Sequence, residues 1–140
     1  MPLVLDASAI IPLAMSDEDA TFALGVLAAL ANDQGIAPSL LWYEIRNVLL
    51  ISERRQRITP QIADDFIAEL EKLPIQLLPS SNSFDVMQIA RQHNLSIYDA
   101  SYLELAVRKQ ATIATQDGKL SRAAQAAGVK LFSLPPAPEV

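Results

Sequence analysis

The sequence predicts an α/β fold in which a largely parallel sheet has helices on both faces. Short apolar runs alternate with amphipathic segments along nearly the whole chain, and the hydrophobic share of 51% is enough for one compact core in 140 residues. Strands that alternate with helices favour parallel pairing, because each helix returns the chain to the same end of the sheet. Binding sites in such folds form beyond the carboxyl ends of the strands.

The chain begins with a predicted strand at residues 3–5, which is apolar and short. Ser8 is predicted to cap a helical segment directly after it. A longer helix is predicted to open at 17–19 and to end at 32–35. Its packing face consists of Ala23, Val26, Leu27 and Leu30.

The middle of the chain contains a very short predicted strand at 36–37 and two helices. Ser39 is predicted to cap a long helix that runs to about Arg55. Thr59 and Pro60 form a cap followed by proline at the first helical position, a common helix start. The helix that follows carries apolar residues at helical spacing, namely Ile62, Phe66, Leu70 and Leu73.

The second half repeats the alternation of strands and helices. Strands are predicted at 75–78, 111–114 and 130–132, and helices at 81–92, 96–109 and from 117 to near 128. The inward face of the first of these helices is predicted to consist of Val86, Met87 and Ala90. Residues 1–134 are therefore predicted to form a single domain, and the Pro-rich residues 135–140 an extended tail.

Composition excludes several classes of site. The chain has no cysteine, so disulfides and thiolate zinc sites are excluded, and His93 is the only histidine, so mechanisms that need two histidines are excluded. The N-terminus lacks the basic and apolar regions of a secretory signal, and no segment reaches the length of a membrane span. We therefore expect a soluble, cytoplasmic protein.

The net charge of −5 argues weakly against a nucleic-acid binder. A cation bound among acidic residues would, however, reverse the sign of the charge locally. Arg54, Arg55 and Arg57 form a basic cluster, joined in sequence by Arg46, which is a candidate for contact with a nucleic-acid backbone. A solvated helix end, where cations are favoured by the helix dipole, explains the same cluster.

Four acidic residues stand in positions where a carboxylate is costly to bury. Asp6 closes the first strand, Glu44 lies within an apolar helix, Asp99 begins another helix and Asp117 follows a strand. A desolvated carboxylate needs a partner or a metal ion.

Each acid also has a structural explanation. Asp6 and Asp117 can cap helices or form turns, and the helix dipole favours Asp99 in a first turn. Glu44 can pair with Arg46 or another arginine. Taken together, the four carboxylates instead favour a site for Mg²⁺ or Mn²⁺, which take oxygen ligands and support phosphoryl chemistry.

Three polar residues accompany these acids and are predicted to support them. Ser8 and Thr115 each lie two residues from one of the acids, so their hydroxyl groups can orient a carboxylate or hold a metal-bound water. Asn47 lies one helical turn after Glu44, on the same side of the predicted helix.

The order and spacing of these residues resemble the PIN-domain ribonucleases, and specifically the VapC toxins of prokaryotic toxin–antitoxin pairs. The segments that carry the resemblance are Asp6-Ala7-Ser8, Glu44 with Asn47, Tyr98-Asp99-Ala100-Ser101-Tyr102 and Thr115-Gln116-Asp117. It extends from Leu3 to about Phe132.

The resemblance implies an α/β/α sandwich around a parallel five-stranded sheet, in which Asp6, Glu44, Asp99 and Asp117 form the metal site. It also implies endonucleolytic cleavage of RNA with Mg²⁺ or Mn²⁺. The implied assembly is a homodimer, held inactive by a cognate antitoxin.

Two other functions remain open from the residues. One is a non-catalytic module that binds RNA or a protein on the same fold. The other is a small-molecule phosphatase of the haloacid-dehalogenase type, which also begins with an aspartate at a strand end. Such phosphatases normally carry a second aspartate two residues later, where this chain has Ser8.

Overall fold

The computed structural model describes residues 1–80 and 83–136, with 83 and 84 as backbone only, and shows a parallel sheet flanked by helices. Its strands are β1 (Leu3–Leu5), β2 (Gly35–Pro38), β3 (Ile75–Leu78) and β4 (Thr112–Ala114). Its helices are α1 (Thr21–Ala29), α2 (Leu40–Arg54), α3 (Pro60–Leu70), α4 (Ser83–His93), α5 (Ile97–Lys109) and α6 (Gly118–Ala126). Two short 3₁₀ turns, Ala7–Ala9 and Ile11–Ala14, connect β1 to the region before α1.

The sheet has the order β3-β2-β1-β4, and all its pairings are parallel. β1 pairs with β4 in the register Leu5 with Ala114, so Asp6 and Thr115 follow the same edge of the sheet. The α/β fold is as predicted. The fifth strand is reduced to a single bridge between Ile113 and Leu131, because the chain at 130–132 meets β4 at one position only.

Several helix starts follow the predicted local chemistry. The side chain of Thr59 accepts a hydrogen bond from the amide of Ile62 at 3.2 Å, and that of Ser96 accepts one from the amide of Asp99 at 3.1 Å. Asp117 caps α6 by accepting from the amide of Leu120 at 2.8 Å. The predicted cap at Thr59 is confirmed, and the helices predicted to open at Ser96 and Asp117 are capped by those residues.

Two predicted serine caps are wrong. Ser39 precedes α2, but its hydroxyl donates to the carbonyl of Leu78 at 3.3 Å instead of accepting from the helix. Ser8 lies inside the first 3₁₀ turn, and its hydroxyl accepts a hydrogen bond from the amide of Gln116 near the other end of the chain.

The core lies between the sheet and the helices, and α5 is its most buried helix. Tyr102, Leu103 and Leu105 of α5 are almost fully buried. The outer helices are less covered: Met87 of α4 is 38% exposed and Ile62 of α3 is 44% exposed. The prediction that Met87 faces inward is therefore wrong, because α4 packs chiefly on α5 and buries Val86 there.

Two predictions fall partly outside the part of the chain that the structure describes. They are the start of the fourth helix at Ser81 and the end of the Pro-rich tail at 137–140. Among the helices that it does describe, none has both the length and the apolar character needed to cross a bilayer.

Candidate active site

Asp6 lies at the carboxyl edge of the sheet, directly after β1, and only 6% of its surface is exposed. Its two carboxylate oxygens each accept a hydrogen bond from a hydroxyl group. Ser8 Oγ donates to Oδ1 at 2.6 Å, and Thr115 Oγ1 donates to Oδ2 at 2.5 Å. Burial without these donors would strongly disfavour the ionised form.

The two hydroxyl groups also accept hydrogen bonds from the loop that follows β4. The amide of Gln116 donates to Ser8 Oγ at 2.7 Å, and the amide of Asp117 donates to Thr115 Oγ1 at 3.0 Å. The Gln116 side chain adds a bond to the carbonyl of Ser8 at 2.9 Å. Because each hydroxyl has given its only proton to Asp6, both act to orient that carboxylate.

Asp117 is fixed by its role as the cap of α6. Its Oδ1 accepts the amide proton of Leu120, while its backbone carbonyl accepts from the hydroxyl of Ser121 at 2.9 Å. Within the described residues, Oδ2 accepts no hydrogen bond. One oxygen of Asp117 thus remains free to bind a cation.

Each of the four predicted acids lies within electrostatic reach of two of the others. Burial raises the pKa of Asp6, and the charge of Asp117 adds to the rise. Burial also raises the pKa of Glu44, with further contributions from the charges of Asp6 and Asp99. Asp99 behaves in the same way: burial raises its pKa, Asp117 raises it further and Lys119 opposes the rise. The structure therefore brings acids from four separate elements into one cluster.

The chemistry of this cluster fits a hard divalent cation. It offers carboxylate oxygens and carries mutually repelling negative charge, which a bound cation would relieve. Among the described residues, however, no three acids are close enough to form a ready-made cation cage. A cation would have to draw the carboxylates together.

An open groove of about 770 Å³ gives access to the cluster between α2 and the start of α5. Its walls consist of Leu40, Tyr43, Glu44, Arg46, Asn47, Leu50, Ser96, Tyr98 and Asp99. Asn47 is exposed in this groove, one turn beyond Glu44 as predicted. Glu44 and Asp99 can thus be reached from solvent, while Asp6 is buried.

Arg46 is not the partner of Glu44. Its guanidinium stacks on the ring of Trp42 at 3.7 Å from the centroid, donates to the carbonyl of Trp42 at 3.1 Å and pairs with Glu71 at 3.4 Å. The pairing of Glu44 with Arg46 is therefore wrong as an explanation of its burial.

The other members of the basic cluster lie at the far end of α2. Arg54 and Arg55 are exposed, and Arg54 lies ten residues after Glu44, which is about 15 Å along a helix. Arg57 pairs with Asp17 at 2.9 Å and with Glu18 at 2.8 Å. The charge of Arg57 is thus compensated by the loop at residues 17–18, and this pairing was not predicted from the sequence.

Two residues near the acids were not predicted from the sequence. The charge of Lys119 opposes the rise in the pKa of Asp99, and its position two residues after Asp117 could have indicated that it lies near the acids. Tyr102 lies one helical turn after Asp99, and its hydroxyl group is buried beside Glu44. A tyrosine on the packing face of a helix does not indicate from the sequence which residues surround its hydroxyl group.

Comparison with known proteins assigns the family. The family model described as PIN domain matches residues 3–126. The chain belongs to the PIN-domain family. PIN domains are generally nucleases, which agrees with an acidic cluster at the edge of the sheet.

Solved structures share the PIN fold of this chain at low sequence identity. PAE2754 from Pyrobaculum aerophilum has a TM-score of 0.68 at 24% identity, over 88% of this chain and 87% of its own. VapBC2 from Rickettsia felis, bound to a DNA fragment from their promoter, has a TM-score of 0.69 at 14% identity, over 94% of this chain and 98% of its own. Mycobacterium tuberculosis VapC20, a sarcin-ricin loop cleaving toxin, has a TM-score of 0.58 at 13% identity, over 86% of this chain and 94% of its own. No curated protein sequence is similar enough to count as a relative.

Proposed function

We propose that this PIN domain is a metal-dependent endoribonuclease and the toxin of a type II toxin–antitoxin pair. The observation that carries the proposal is the cluster of Asp6, Glu44, Asp99 and Asp117, which the fold assembles beside an open groove. The fold shared with VapC20, which is described as cleaving the sarcin-ricin loop, supports RNA as the substrate.

In this proposal Asp6, Asp99 and Asp117 hold the cation directly, and Glu44 assists directly or through water. When bound, Mg²⁺ or Mn²⁺ activates water and offsets the negative charge that builds on the phosphoryl group. Ser8 and Thr115 keep both oxygens of Asp6 in fixed directions. Hydrolysis by water does not need the RNA 2′-hydroxyl as nucleophile.

The proposed partners are a cognate antitoxin and a second copy of the chain. The structural likeness to VapBC2, whose description pairs two components on promoter DNA, supports the antitoxin. The homodimer rests on the resemblance to VapC toxins alone. Size measurement of the purified chain in solution tests it, and a monomer at micromolar concentration would contradict it.

The function is tested by an RNA cleavage assay with purified protein. We expect cleavage in Mg²⁺ or Mn²⁺, none in EDTA, and loss of most activity in Asp6→Asn and Asp99→Asn. Asp64→Asn, an exposed acid on α3, is the matched control and should cleave as wild type does. If Asp6→Asn and Asp99→Asn both cut RNA as fast as wild type, the assigned site is wrong.

Expression in a bacterial host tests the toxin role separately. Growth arrest with RNA fragmentation in wild type, but not in Asp99→Asn, would support a toxin. Binding of RNA without cleavage would indicate the non-catalytic module. Hydrolysis of a small phosphate monoester would indicate the phosphatase, although Ser8, at the position of the second aspartate, already donates its proton to Asp6.

A further inference from the structure

Tyr102 holds an unsatisfied hydroxyl group in the interior of the protein. The residue is 1% exposed, and its hydroxyl oxygen has no hydrogen-bond partner among the described residues. A buried polar group without a partner costs about 1–3 kcal/mol of stability. Native structures keep such groups rarely, and each needs an explanation such as a functional role.

The surroundings of this hydroxyl are the acids of the proposed site. Its pKa is raised by burial first and then by the charges of Glu44, Asp6 and Asp99. Glu44 interacts with it most directly, although the two groups fall short of ordinary hydrogen-bond geometry. The O–H group is therefore buried at the inner side of the acidic cluster.

Within the described residues, neither Glu44 nor Asp99 accepts a hydrogen bond of ordinary geometry on its carboxylate. Lys119 compensates part of the charge of Asp99, whereas no cation there acts on Glu44. Asp6 is held by two hydroxyl groups, and Asp117 is held by the amide of Leu120. Arg46, which the sequence offered as a partner for Glu44, is engaged with Glu71. In the part of the chain that the structure describes, the buried hydroxyl of Tyr102 is the side-chain donor that interacts with the Glu44 carboxylate, although no hydrogen bond of ordinary geometry joins them.

The geometry points to Tyr102 as a positioning residue that donates its hydroxyl proton to Glu44 when a cation occupies the site. This inference rests on the proposed function. The bond would satisfy the buried hydroxyl and fix one oxygen of Glu44, leaving the other for the cation or its water. Because Asp99 and Tyr102 are one turn apart on α5, the same helix would then align two of the four acids.

The test measures Mn²⁺ affinity without RNA, by calorimetry or by electron paramagnetic resonance of the free ion. We expect Tyr102→Phe to weaken Mn²⁺ binding roughly 10- to 100-fold, as outer-shell changes at metal sites do. Its thermal midpoint in EDTA should be unchanged or higher, since the variant removes an unsatisfied group. Thr112→Val is the control: it loses a hydroxyl that contacts Met1, outside the acidic cluster, and should keep its Mn²⁺ affinity.

A double-mutant cycle shows whether Tyr102 acts through Glu44. In the Glu44→Ala background, where the acceptor is absent, Tyr102→Phe should have little further effect on Mn²⁺ affinity. An equal loss in both backgrounds, or no loss in the wild-type background, would overturn the inference while leaving the nuclease assignment intact. Failure of the wild-type protein itself to bind Mn²⁺ and cut RNA would overturn both.

A second measurement does not depend on the folding of the Tyr102→Phe variant. The chain has three tyrosines, and Tyr43 and Tyr98 are exposed, so Tyr43→Phe with Tyr98→Phe leaves Tyr102 as the only one. Ultraviolet Raman spectra of that double variant report whether the remaining hydroxyl donates a hydrogen bond. We expect a donor signature on addition of Mg²⁺, and an unchanged spectrum would contradict the inference.

Discussion

Thr115 donates its hydroxyl proton to Oδ2 of Asp6 at 2.5 Å, across 109 positions of the chain. The bond joins the end of β4 to the end of β1, and the same hydroxyl accepts the amide proton of Asp117. One threonine thus connects two of the proposed metal ligands. Its removal should affect both the stability of the fold and the alignment of the site.

The first prediction concerns Thr115→Val, which keeps the shape of the side chain and removes the hydroxyl. We expect the free energy of unfolding to fall by about 1–3 kcal/mol, because a buried carboxylate loses a donor and an amide loses an acceptor. Urea unfolding measures it. Thr112→Val, in the same strand but with its hydroxyl against Met1, should change stability by less than about 0.5 kcal/mol. Equal losses in the two variants would contradict the assigned role of Thr115.

The second prediction is a loss of stability with rising pH in EDTA. Asp6, Glu44 and Asp99 have raised pKa values in the fold, so the native state keeps their protons to higher pH than the unfolded state, whose values are near 3.8 for aspartate and 4.5 for glutamate. The free energy of unfolding therefore falls as pH rises through this window. The lowered pKa values of Asp17 and Asp19 affect the free energy of unfolding only at pH values below this window.

Thermal midpoints in EDTA from about pH 5 to about pH 7 measure this dependence. Asp6→Asn removes one of the three titrating groups, so its midpoint should change less over the same range. A variant with the full wild-type dependence would show that Asp6 is not one of the groups responsible.

The third prediction is that a divalent cation restores the stability lost at neutral pH. Binding to the native state alone stabilises it by about 2.7 kcal/mol at a concentration about a hundredfold above Kd. Wild-type protein in Mn²⁺ should thus melt at a higher temperature than in EDTA. Asp117→Asn should lose most of this shift and still fold, because asparagine caps helices as well as aspartate does.

Asp64→Asn is the matched control for the thermal shift. It removes the same charge from an exposed position on α3 and should keep the full response to Mn²⁺. A shift that survives in Asp117→Asn but disappears in Asp64→Asn would place the cation elsewhere on the protein.

Local chemistry explains which parts of the fold the sequence predicted. The caps at Thr59, Ser96 and Asp117 depend on residues within one turn, so they could be predicted directly. The reduction of the fifth strand to one bridge at Leu131 could not be predicted. The length of an edge strand depends on how many backbone groups of the neighbouring strand are available for pairing. The exposure of Met87 depends likewise on which helix packs against α4, not on helical spacing.

The same distinction holds for the site. An acid in an apolar segment is visible in the sequence because burying it alone is unfavourable. The hydroxyl of Tyr102 was not visible, since its environment is set by Glu44 on another helix. The ion pairs of Arg57 were hidden for the same reason: the partners Asp17 and Glu18 lie about 40 positions away in the chain.

The fourth prediction separates the arginines that were proposed to contact RNA. Arg54 and Arg55 are exposed, whereas the guanidinium of Arg57 is held by Asp17 and Glu18. Each phosphate contact contributes about 0.7 to the slope of log affinity against log salt for single-stranded RNA. Arg54→Ala with Arg55→Ala should therefore reduce that slope, while Arg57→Ala should leave it nearly unchanged.

The salt dependence is measured with the inactive Asp99→Asn protein, so that the RNA stays intact during titration. Arg57→Ala is the control, since it removes one arginine just beyond the same end of α2. An unchanged slope in the Arg54 and Arg55 variant would reject RNA contact by this cluster. Arg46 would then be the remaining candidate, because it lines the groove beside Glu44 and its stacking on Trp42 leaves the guanidinium at the groove wall.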